Sequence, residues 1–60
     1  MDETAAHRMA RSLIAIHGTG ALAVAERAAA NVRQLGMKEA ERMWGAVAAA
    51  IRSIEDGSLS

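Results

Sequence analysis

Ile16-His17-Gly18-Thr19-Gly20-Ala21-Leu22 is the stretch on which the architecture turns. Before it, Ala6, Met9, Leu13 and Ile16 recur at spacings of three and four, with Ala10 and His17 alongside, so they share one helix face. After it, Leu22, Ala25, Ala28/Ala29, Val32 and Leu35 repeat the pattern. Gly18 suits the left-handed residue that closes a helix, because without a Cβ it takes positive φ at little steric cost. Thr19 or Gly20 then opens the next helix, and Thr19 carries the better capping oxygen.

Gly36 supplies the same stop signal after Leu35. A third stripe follows: Ala40, Met43/Trp44, Val47, Ala50/Ile51 and Ile54. It lacks a good cap, but Glu39 and Glu41 fall in its first turn, where the helix dipole favours negative charge. Asp56-Gly57-Ser58 ends it. At the other end of the chain, Asp2 or Thr4 can cap the first segment. Helices are therefore expected over about residues 3–17, 21–35 and 38–55, with a tail at 56–60 in which Leu59 and Ser60 are disordered. No run of alternating β-branched residues, no Asn-Gly turn and no proline competes with this reading. The expected fold is all-α, a single helical domain over residues 1–60. It closes either as a small three-helix bundle or as a helical hairpin plus an N-terminal helix, and it oligomerises.

Composition points to that last property. Of the 60 residues 52% are apolar, but alanine supplies about half of them, and Trp44 is the one aromatic residue. A domain this short hides a smaller share of its surface than a larger one, and so stands near the margin of stability. Self-association would add the missing burial. No cysteine is present, so disulfides and thiolate metal sites are excluded, in keeping with a reducing cytoplasm. Seven basic and seven acidic residues cancel, which removes the electrostatic signature of a nucleic-acid binder. The acidic start Met1-Asp2-Glu3-Thr4 is unlike a secretory signal, and the uncharged run Ser12–Ala25 is too short to span a bilayer.

Few residues are placed for chemistry. Glu3 and His7 stand at i, i+4, but two ligands in a first turn do not make a metal site. His17 reads as a helix-end residue facing the negative end of the dipole. No serine lies in a nucleophile-elbow context, and Gly18-Thr19-Gly20 has neither the preceding strand nor the lysine of a phosphate loop. No catalytic residue, cofactor or metal is expected.

Leu35-Gly36-Met37-Lys38-Glu39-Ala40-Glu41-Arg42 resembles the turn and recognition-helix start of a helix-turn-helix. The helix that follows is mostly Ala, Val, Ile and Trp, and it opens with two glutamates that phosphate repels. Arg8, Arg11, Arg27 and Arg33 could still line one surface, which keeps a regulatory nucleic-acid-binding protein as the alternative function. Gly45 has two readings, a tolerated weak helix residue or a close helix crossing beside Trp44. Trp44 likewise reads as core anchor or interface hot spot.

A further set of residues carries a resemblance. Ala10 with Leu13-Ile14, His17-Gly18, Ala21, Ala25, Ala29, Val32, Gly36, Trp44, Val47, Ala50-Ile51 and Ile54 together resemble a group of short helical proteins frequent in alphaproteobacterial genomes and without an assigned activity. The likeness covers about residues 9–55. It departs at Thr19-Gly20, where that group tends to be acidic, and at Ala28-Ala29-Ala30, where it is more polar. The resemblance implies three helices and a bacterial cytoplasmic setting. The function expected is a protein–protein interaction or homo-oligomerisation module. Its partner is a second copy or another protein rather than a membrane, and Val24, Trp44, Val47 and Ile51 are its contact residues.

Overall fold

A computed structural model describes residues 3–57, with the side chain of Glu3 left aside. The capping role considered for Asp2, the Glu3–His7 pair and the expected disorder of Leu59 and Ser60 lie outside what is described. Every regular element is helical. Helix α1 spans Glu3–His17, a 3-10 turn occupies Gly18–Gly20, α2 spans Ala21–Gln34 and α3 spans Lys38–Glu55.

Positive-φ glycines end all three helices. Gly18 stands at φ +60°, Gly36 at +73° and Gly57 at +76°, a region that a Cβ makes unfavourable. At Gly36 the hydrogen bonds show why the helix stops. The Gly36 N–H donates to the Arg33 carbonyl at 3.1 Å and the Met37 N–H to the Val32 carbonyl at 3.0 Å. This pair of bonds is the Schellman arrangement, which satisfies carbonyls that a helix end otherwise leaves open. The Asp56 and Gly57 amides close α3 in a related way, donating to Arg52 and Ile54 carbonyls.

The capping expectation at Thr19 needs correction. The residue that precedes α2 is Gly20, with no side-chain cap bond, and Thr19 is absorbed into the 3-10 turn. The second helix also ends at Gln34, leaving Leu35 as its C-cap.

The chain bends at Gly18. A straight run from Glu3 to Gln34 would measure about 48 Å at ~1.5 Å per residue, whereas the longest axis of the molecule is 34 Å. Two cross-helix ion pairs show that α2 and α3 run antiparallel. Arg33 pairs with Glu41 and Glu26 with Arg52, so the number on α3 rises as that on α2 falls. Helix α3 is the shared element: it packs against α2 and α1, which meet each other much less.

The core follows from that arrangement. Its buried members are Ala6 and Ala10 from α1, Ala21 and Ala25 from α2, and Val47, Ala48, Ala50 and Ile51 from α3. On α1 and α2 the buried alanines stand at i, i+4 and mark a narrow stripe. On α3 they sweep roughly 160° of the helix circumference, at ~100° per residue, because two neighbours cover it. Six of these eight residues are alanines, whose small side chains let helix backbones approach closely. Met9, Leu13, Ile14, Leu22, Trp44 and Ile54 pack around them, each only partly buried.

Two residues expected on the inward stripes are not inside. Ile16 is 75% exposed and Leu35 67%. Both lie in or just past the last turn of a helix, and His17, alongside the α1 stripe, is exposed as well. Apolar spacing alone does not bury a residue at a helix end. Gly45 is now explained: it is exposed, and a Cβ built there meets no neighbouring atom within 4 Å. No helix crosses closely at that point.

Candidate functional site

The four residues expected to make contacts separate into different environments. Val47 and Ile51 are completely enclosed, the largest side chains that are. In this fold they join α3 to its own neighbours and present nothing to a partner. Trp44 lies one turn earlier on the same face, packed on the core and partly buried. Val24 sits on α2 outside the core cluster, half-buried in a shallow depression with Arg27, Ala28, Ala30, Asn31, Arg33 and Gln34. A single outward patch containing all four does not exist.

The apolar groups that do face water lie elsewhere. Ile16 precedes Gly18, while Leu35 and Met37 flank Gly36, Met37 being 51% exposed. They gather at the two glycine turns, at opposite ends of α2, about 20 Å apart by the length of that helix. Reading the stripes by periodicity missed them, since spacing assigns Ile16 and Leu35 inward. The available signal was their position next to a helix stop.

Charge on this surface is largely a matter of the α2–α3 hairpin. The Arg33 Nε donates to Glu41 Oε2 at 3.0 Å, so one of the four arginines considered for nucleic acid is held by an acidic neighbour. Glu41, the second of the two glutamates in the helix-turn-helix-like segment, thus serves the hairpin. Helix α3 itself, in the place of a recognition helix, carries the broadest buried face of the molecule.

Three surface depressions among the described residues draw on one helix each. The one on α2 is described above. Another uses Thr4, His7, Arg8 and Arg11 of α1, and a third Glu39, Ala40, Arg42 and Met43 of α3. A convex helix surface cannot surround a small molecule, as ligand pockets do. Among the described residues no three His, Cys, Asp or Glu side chains gather as metal ligands. His7 and His17 are ten residues apart on α1, about 15 Å along the helix. Among the described residues, too, no helix is long and apolar enough to cross a membrane.

No protein-family model, curated protein or solved structure matches this chain.

Proposed function

We propose that this protein works by contact, as a small helical module that pairs with a second copy of itself or docks on another protein, with no catalytic activity. The observation that carries this reading is the core. Among the described large apolar side chains only Val47 and Ile51 are fully enclosed, while nine others are half-buried and Ile16, Leu35 and Met37 face water. Alanine burial contributes little per residue compared with Leu or Ile, because the stabilisation scales with apolar area removed from water. Covering the half-buried groups against a second surface supplies the remainder. A bacterial cytoplasmic setting goes with this proposal, as does kinship with the short helical proteins it resembles.

The test is mass action. Sedimentation should give a dimer or larger species, and the melting temperature should rise with protein concentration, since association stabilises the folded state. A monomer whose melting temperature ignores dilution contradicts pairing with a second copy. The nucleic-acid alternative has less support, with Arg33 engaged by Glu41 and α3 packed on two sides.

A further inference from the structure

We propose that two copies associate by exchanging α1, with Gly18 as the hinge; this rests on the self-association reading and specifies its geometry. The left-handed residue Gly18 marks the place where the chain departs from a straight helix. Gly18, at φ +60°, is the only described residue before Gly36 with positive φ. His17 before it, and Gly20 and Ala21 after it, have right-handed dihedrals, and Gly18–Gly20 is already a 3-10 turn. Returning Gly18 to the helical region joins α1, the turn and α2 into one helix about 48 Å long.

Apart from the packing of α1 on α3, which an exchanged α1 reproduces, little else enforces the bend. Helix α2 starts without a side-chain cap bond, so its first amides gain nothing from starting afresh at Gly20. Helix α1 meets α2 far less than it meets α3. The ion pairs Arg33–Glu41 and Glu26–Arg52 tie α2 to α3, so the hairpin stays a unit when α1 departs.

What α1 uncovers in leaving selects the occupant. Ala6 and Ala10, with Met9, Leu13 and Ile14 beside them, come away from α3. The surface that fits the vacated face is α1 of a second copy. Every packing contact is then reproduced between chains, and only the hinge conformation changes. Short hinges are where such exchange arises. A second copy also supplies what one chain lacks. Two straightened helices cross near their hinges, where Ile16 stands 75% exposed two residues before Gly18. Zero net charge sets no long-range repulsion between copies.

The chain has no cysteine, so Thr4→Cys with Gln34→Cys places one spin-label pair on exposed positions near the ends of α1 and α2. Labelled chains diluted into unlabelled ones report distances within a chain. The expected result is a dimer with an intrachain separation of about 45 Å, beyond the reach of a bent chain 34 Å along its longest axis. Gly18→Ala penalises positive φ in both copies and should raise the association constant at least about tenfold. A dimer that keeps the short distance overturns the exchange and leaves self-association standing. A chain that stays monomeric at every concentration overturns both. If Gly18→Ala fails to fold, the distance measured with Gly18 in place still decides.

Discussion

Arg52 Nη2 donates to Glu26 Oε2 at 2.8 Å, joining the last turn of α3 to the first half of α2 across 26 residues of sequence. With Arg33–Glu41 near the connecting turn, this contact pins both ends of one antiparallel hairpin. Both groups are well exposed, 61% for the Arg52 side chain and 52% for Glu26. Water and salt screen such a pair, so it sets register more than it adds stability. A double-mutant cycle on Glu26→Ala and Arg52→Ala should give a coupling below about 1 kcal/mol that shrinks further with added salt. A larger, salt-insensitive coupling would mean that the pair is shielded from water.

Gly45 and Gly36 should respond oppositely to alanine. Gly45 lies inside α3, exposed and with open space around it, so Gly45→Ala should stabilise the fold by up to ~1 kcal/mol. Gly36 has equal room but stands at φ +73°, and Gly36→Ala should destabilise by about 1 kcal/mol. Urea denaturation followed by helical circular dichroism reads both. Two changes of the same sign would show that the turn geometry is wrong.

Ile51→Ala removes the larger of the two fully enclosed side chains. Such truncations in packed interiors cost about 2–5 kcal/mol, which a domain of this size does not have to spare. The variant should lose most of its helical signal at 25 °C. Trp44→Ala, at a position packed on the core but not fully enclosed, should lose less and remain measurably folded. If the tryptophan variant is the more damaged of the two, Trp44 and not Ile51 anchors the helices.

Ile16→Ser and Leu35→Ser probe the exposed apolar ends without touching the core. Each should change the stability of a dilute sample by no more than about 0.5 kcal/mol. On the proposed function both should weaken self-association, read as a rise in dissociation constant by sedimentation. Unchanged association in both variants would remove these residues from the contact surface.

Helix positions were legible in the chain because they depend on local chemistry. A positive φ at Gly18, Gly36 and Gly57 is a property of single residues. The inward face of α3 was legible too, since Val47 and Ile51 are large enough to mark it. The start of α2 was read less well. Thr19 is the better cap in isolation, yet the 3-10 turn leads straight into the helix and leaves its hydroxyl unused for capping.

Alanine is where local reading ends. Ala21 and Ala48 are buried while Ala23, Ala46 and Ala49 face water, and nothing in an alanine side chain prefers either side. Only the placement of α3 between two neighbours decides which alanines are covered. The same holds for Ile16 and Leu35, whose spacing points inward but which stand exposed at helix ends. Sequence alone determined where the backbone turns, because φ at a glycine is a local quantity. Tertiary structure alone decided which small and terminal side chains are sheltered, because burial requires an opposing surface and spacing along one helix does not say where that surface stops.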